Sequence, residues 1–95
     1  MQIEQQREGD RLTLIPDGRV DTITAPELET AAELNGVGEL IVDLARVDYM
    51  SSAGLRVMLG FNKKMAGRSM KLIHLQPAVK EVFDITGFSD MLDIQ

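Results

Sequence analysis

The sequence predicts a single α/β domain over residues 1–95, with a mixed sheet of roughly four to five strands and about three helices packed against it. Short apolar or alternating runs of strand length recur along the chain. Longer segments between them open on Ser, Thr or Pro and close on Gly, which are the usual signals of helix starts and ends. The two kinds of segment follow one another as β-β-α-β-α-β-α-β, an order typical of α/β folds.

The first two strands come from the beginning of the chain. Residues 1–6 alternate weakly and predict an edge strand, and Arg11–Ile15 alternates as its pairing partner. Pro16-Asp17-Gly18 is expected to end or bulge this second strand. In the loop that follows, Asp21 has two open interpretations: an Asx turn that satisfies loop N–H groups, or an acid on a binding face.

Thr24 is predicted to be the N-cap of the first helix. Pro26 in the first turn and Glu27 three residues after Thr24 give the spacing of a capping box. Asn35-Gly36 is expected to close the helix.

The centre of the chain is predicted to be a buried strand followed by a long helix. Leu40–Leu44 is an apolar run suited to a strand covered on both faces, and Val47–Met50 is expected to lead out of the sheet. Ser51 and Ser52 stand at the helix start, where Ser is a favoured N-cap. The helix runs to Gly67 and carries Gly60, which is expected to allow a neighbouring backbone to approach.

The last part of the chain predicts a strand, a helix and a final short strand. Met70–Leu75 is the strand, with the single His, His74, near its end and outside any recognisable catalytic triad. Pro77 begins the helix and Gly87 ends it. Met91–Ile94 is the final strand.

Composition excludes several classes of function. The net charge of −5 argues against binding to nucleic acid or to an anionic membrane. The absence of Cys excludes disulfides, thiolate metal sites and a Cys nucleophile. Without a signal peptide or an apolar run near the ~18 residues of a membrane span, the sequence predicts a cytoplasmic protein without membrane insertion. One acid-free basic run stands out and is expected to be mainly a solvated helix face: Arg56, Lys63, Lys64, Arg68 and Lys71.

The two serines allow two interpretations. A helix N-terminus presents unpaired N–H groups and about half a positive charge, so it tolerates an anion. A phosphate on a hydroxyl there would add about 1.5 to 2 negative charges and change the surface with little change of fold. An ordinary N-cap, which stabilises a helix by about 1 kcal/mol, is the commoner use of such a serine.

Three segments in the right order resemble the STAS domain of bacterial anti-sigma factor antagonists. Val47–Leu55 is similar to the family's signature, Gly18–Ala25 to its early loop and helix start, and Pro77–Phe88 to its late helix. The family has Asp, then a phosphorylated Ser, at its signature; this chain has Ser51 and Ser52 there. The resemblance therefore implies that Ser52, rather than Ser51, is the phosphoacceptor.

The resemblance also implies a function and partners. The unmodified protein would bind an anti-sigma factor that is also its GHKL-type serine kinase, releasing a sigma factor, and a serine phosphatase would reset the switch. No enzymatic activity and no cofactor of its own are expected. The surface implied for binding the partner comprises Asp21, Thr22, Asp48, Met50, Ser51, Ser52, Ala53, Gly54 and Arg56.

Two other functions stay open. Some STAS relatives are small soluble subunits of transporter complexes, which would also make this chain a binding module. An enzyme acting on nucleotide phosphates is of a different class, and the sequence offers it no Walker-type motif, no metal-ligand cluster and no Gly-rich phosphate loop.

Overall fold

The computed structural model describes every residue from Met1 to Gln95 and has a six-stranded mixed sheet with three α-helices. This confirms the predicted fold class. The elements in chain order are β1 (Gln2–Glu8), β2 (Arg11–Val20), α1 (Ala25–Ala31), β3 (Glu39–Asp43), β4 (Val47–Met50), α2 (Ser52–Met65), β5 (Ser69–Ile73), α3 (Pro77–Thr86), a 3₁₀ turn (Phe88–Asp90) and β6 (Asp93–Ile94).

The sheet is antiparallel only at its first edge. Its strand order is β1-β2-β3-β5-β6, and every pairing except β1 with β2 is parallel. Besides β1, the long strand β2 pairs with two parallel strands: Arg11–Leu14 pairs with β3, and Gly18–Val20 pairs with β4. The expectation that Val47–Met50 leads out of the sheet was therefore wrong.

The pairing of β2 with β4 contains a bulge: Gly18 pairs with Val47 and Arg19 with Tyr49, so Asp48 of β4 is the extra residue. Gly18 has a φ of 111°, a conformation that glycine adopts without steric cost, and its N–H donates to the carbonyl of Arg46 at 2.9 Å. The expectation that Pro16-Asp17-Gly18 ends or bulges β2 was wrong: the strand continues to Val20, Pro16 and Asp17 pair regularly with β1, and the extra residue of the bulge, Asp48, belongs to β4.

Strand β3 shows that the prediction of burial on both faces was only half right. Leu40 and Val42 are fully buried, whereas Ile41 and Asp43 are half-buried, so one face carries the core and the other keeps some contact with solvent. The core continues into the helices, where Met58, Phe61 and Phe83 are buried.

Helix α1 begins at Ala25 as predicted, but the capping box was wrong. The Thr24 side chain makes no cap hydrogen bond and instead donates to the carbonyl of Arg19 at 2.6 Å. The helix also ends at Ala31, before the predicted stop at Asn35-Gly36. Leu34 is nevertheless buried, because the loop after α1 folds back onto the core.

Helix α2 ends at Met65, close to the predicted stop at Gly67. The next two residues, Ala66 and Gly67, both have positive φ angles in the left-handed region. The guanidinium of Arg68 donates to the carbonyls of Val37, Lys64 and Met65, so this member of the basic run fastens the end of the helix. Gly60 has no neighbour within 4 Å of a Cβ added to it, so the expected close approach is absent.

The last part of the chain follows the prediction with small shifts. Strand β5 ends at Ile73, and His74 follows it with a φ of 59° and its Nδ1 3.1 Å from Asp43 Oδ1. Helix α3 runs from Pro77 to Thr86 with Gly87 as its left-handed cap. No helix in the structure combines the length and apolar character needed to cross a membrane.

Candidate functional site

The two serines lie at the carboxyl-terminal end of the parallel strands β2 and β4. Val20 and Met50, the last residues of these strands, are paired, so the loops after both strands start at the same end of the sheet. The N–H of Ser51 donates to the carbonyl of Val20 at 2.9 Å, which joins the start of α2 to the end of β2. This geometry brings the Asp21 loop beside the Ser51–Ser52 turn, although 30 residues of sequence separate them.

The structure distinguishes the two hydroxyls. Ser51 occupies the N-cap position with an extended backbone, as predicted, but its side chain makes no cap hydrogen bond. Its Oγ is buried and has no hydrogen-bond partner. Ser52 is the first residue of α2 and is exposed. Of the two hydroxyls, that of Ser52 is the one open to an enzyme acting from solvent.

Asp21 organises the neighbouring loop. Its Oδ1 accepts the backbone N–H groups of Ile23 and Thr24, each at 3.0 Å, which confirms the Asx-turn interpretation. The Thr24 amide, more than any other group, holds the pKa of Asp21 below its usual range, and the Arg19 guanidinium 3.7 Å from Asp21 Oδ2 acts in the same direction.

We expect stability to depend on pH through Asp21. A carboxylate whose pKa is lowered on folding stabilises the protein above its unfolded-state pKa of about 3.9, and this contribution is lost as pH falls through the folded-state value. Asp21→Asn should therefore lower the melting temperature at pH 7 and lower it less at pH 3. Thermal unfolding of the wild type and Asp21→Asn between pH 3 and pH 7 checks this prediction. A difference in melting temperature that does not change with pH would contradict the role given to the Asp21 carboxylate.

The surface around Ser52 carries groups of both charges. Asp48 is exposed and makes no ion pair. Asp21, by contrast, is partly neutralised by Arg19, whose guanidinium also stacks over the ring of Tyr49 with 4.2 Å to the centroid.

Ile23, in the loop that follows β2, is 81% exposed. Sequence reasoning missed Arg19, Tyr49 and Ile23; only the isolated apolar Ile23 in a polar loop offered a signal.

The residues predicted to contact a partner separate into two groups. Thr22, Asp48, Ser52 and Arg56 are exposed, and Asp21, Ser51 and Ala53 are partly so. Met50 and Gly54 are buried: a Cβ added to Gly54 would lie 2.3 Å from Met50 Sδ and 2.8 Å from Val20 Cγ1. These two residues support the turn from beneath.

A shallow groove lies between α1 and α2 beside this turn. It has a volume of about 470 Å³ and includes Thr22, Glu29, Ala53 and Arg56 in its walls. No group of three or more His, Asp or Glu side chains is arranged to hold a metal ion.

Known proteins resemble this chain along most of its length. The model of the STAS domain family matches residues 2–95. An anti-sigma-B factor antagonist of Listeria monocytogenes is 35% identical over 96 residues, covering 96% of this chain and 84% of that protein. The anti-sigma-B factor antagonist of Bacillus subtilis is 41% identical over 81 residues, covering 81% of this chain and 74% of that protein.

The fold also matches solved structures. The Bacillus anti-sigma factor antagonist SpoIIAA in its unphosphorylated form superposes with a TM-score of 0.83 at 16% identity, covering 99% of this chain and 88% of that one. Its phosphorylated form superposes with a TM-score of 0.73 at 17% identity, covering 99% and 91%.

Proposed function

The chain belongs to the STAS domain family, and we propose that it is an anti-sigma factor antagonist whose binding is switched off by phosphorylation of Ser52. The unmodified protein binds an anti-sigma factor, and the sigma factor held by that partner is released. The observation that carries the proposal is the contrast between the two serines: Ser52 is exposed at the start of α2, whereas Oγ of Ser51 is buried.

The site suits a protein that is modified rather than one that catalyses. A GHKL-type serine kinase, the anti-sigma factor itself, transfers the γ-phosphoryl group of ATP to Ser52 Oγ. One O–P bond forms, the bond to ADP breaks, and the hydroxyl proton passes to a base of the kinase. A serine phosphatase hydrolyses the phosphoserine. This chain supplies the acceptor hydroxyl and the binding surface, so we assign it no enzymatic activity and place it in the cytoplasm with these partners.

The surface offered to the partner is the exposed part of the predicted set. Thr22, Asp48 and Arg56 surround the exposed Ser52, and Ile23 adds an apolar contact. A kinase that must reach Ser52 Oγ has to cover this area, so binding and modification use the same face. We propose this domain, residues 1–95, as the unit that acts.

The position of the phosphate gives a direct test. Incubation with the kinase and ATP-Mg²⁺ should add a single phosphate to the wild-type protein and to Ser51→Ala, and none to Ser52→Ala. Intact-mass measurement followed by fragmentation locates the modification. Circular dichroism of both variants serves as the folding control. Phosphate on Ser51, or a fully modified Ser52→Ala protein, would refute the assignment.

A further inference from the structure

Arg56 lies one turn of α2 beyond Ser52. Residues four apart on a helix share a face, with about 5 to 6 Å between their Cβ atoms. Both side chains are exposed, and Arg56 lies in the wall of the α1–α2 groove. An acid that precedes a base by four residues is the favourable orientation for such a pair. Phosphorylation of Ser52 would create this arrangement.

The guanidinium of Arg56 has no carboxylate partner in the unmodified protein. Ion pairs join other cations to acids, but none includes Arg56. Glu29 lies in the wall of the same groove and makes no ion pair with it. In helix α3 an ion pair forms at this spacing even in the reverse order, since Lys80 Nζ lies 3.0 Å from Asp84 Oδ2 four residues on.

We propose that Arg56 is the intramolecular partner of a phosphate on Ser52 and positions it along α2. This inference rests on the proposed function. A guanidinium presents planar N–H donors that match phosphate oxygens in pairs, and it stays charged throughout the physiological range. The phosphate is thereby held over the α1–α2 groove, so Arg56 determines the direction in which the switched protein presents its new charge.

The other exposed cations of α2 lie too far away to take this role. Lys63 is 11 residues after Ser52, or about 16 Å along the helix axis at about 1.5 Å per residue. It shares the charge of Arg56 and the same helix, and it forms no ion pair. Lys63→Gln therefore matches Arg56→Gln in net charge without removing the neighbour of Ser52.

The test uses the protein of residues 1–95 in which phosphoserine is incorporated at position 52 during synthesis. A ³¹P NMR titration follows the second ionisation of the phosphate in the wild type, Arg56→Gln, Arg56→Lys and Lys63→Gln. A neighbouring cation favours the dianion and lowers the midpoint. We expect Arg56→Gln to raise the midpoint by roughly 0.3 pH unit. Arg56→Lys should fall between it and the wild type, and Lys63→Gln should match the wild type.

Equal midpoints for the wild type and Arg56→Gln would overturn the pairing, and so would an equal shift in Lys63→Gln, which would reveal only the net charge. Circular dichroism of each protein checks that it is folded. Because the phosphate is built into the chain, this result does not depend on a kinase. A kinase that modifies another residue would overturn the proposed function alone, and an unshifted titration would overturn the role of Arg56 alone.

Discussion

Phosphorylation of Ser52 is expected to weaken binding to the anti-sigma partner at least a hundredfold, whereas Ser52→Ala should bind as the unmodified protein does and resist the kinase. Arg56 supplies one positive charge against the ~1.5 to 2 negative charges of the phosphate, so part of the charge stays uncompensated. Burying that well-hydrated charge in the interface costs several kcal/mol, and each ~1.4 kcal/mol is a factor of ten in affinity. Ser52→Asp should weaken binding less, because it adds one charge and two oxygens in place of a dianion with three.

Titration calorimetry of the partner with these proteins measures the effect. Ser69→Asp is a suitable control, because Ser69 is exposed and begins β5. It therefore lies at the opposite end of the parallel strands from the Ser51–Ser52 turn. It adds the same charge away from the proposed surface and should leave affinity nearly unchanged. The switch is refuted if the phosphoprotein binds as tightly as the unmodified form, or if folded Ser52→Ala does not bind.

Gly54→Val is expected to lower the free energy of unfolding by about 3 kcal/mol, near the upper end of the usual cost of overpacking. Even the first added carbon would lie 2.3 Å from Met50 Sδ and 2.8 Å from Val20 Cγ1. Val20 is buried and has a stiff β-branched side chain, so it cannot move aside easily, and the more flexible Met50 is buried in a closely packed core that leaves it little space. The expected response is a displacement of the start of α2 from the ends of β2 and β4.

Gly60→Ala provides the matched control within the same helix. A Cβ at that position meets nothing within 4 Å, so the substitution gains the helix propensity of Ala without a clash. It should raise the free energy of unfolding by about 0.5 to 1 kcal/mol. Urea unfolding of both variants checks the opposite signs. A Gly54→Val protein as stable as the wild type would show that the space beneath the turn is not closely packed.

The element types were largely predictable because they depend on local signals. Helix α3 begins at Pro77 and ends before Gly87, as the sequence predicted. Pro has no N–H and is therefore tolerated in the first turn of a helix, and the left-handed conformation after a helix end favours Gly. The capping box predicted at Thr24 does not form. Asp21, three residues earlier, accepts the Thr24 N–H, and the Thr24 hydroxyl donates to the carbonyl of Arg19. That competition depends on the path of the loop.

The candidate site was predictable as a stretch of sequence but not as a surface. The Ser51–Ser52 helix start and its family signature can be read directly from consecutive residues. Consecutive residues do not show which side chains of this stretch face solvent. The burial of Met50 and Gly54 depends on Val20, a residue contributed by a distant strand. Arg19 and Tyr49 stack only because β2 and β4 are paired.

By itself, the sequence determined the α/β class, the approximate positions of the helices and most strands, and the family, since periodicity, end signals and motifs are local in the chain. Only the tertiary structure decided that Val47–Met50 is a strand of the sheet, that Ser51 Oγ is buried and Ser52 exposed, and that Arg56 has no carboxylate partner. Strand pairing, burial and ion pairing join residues far apart in the chain, so they follow from packing rather than from any local pattern.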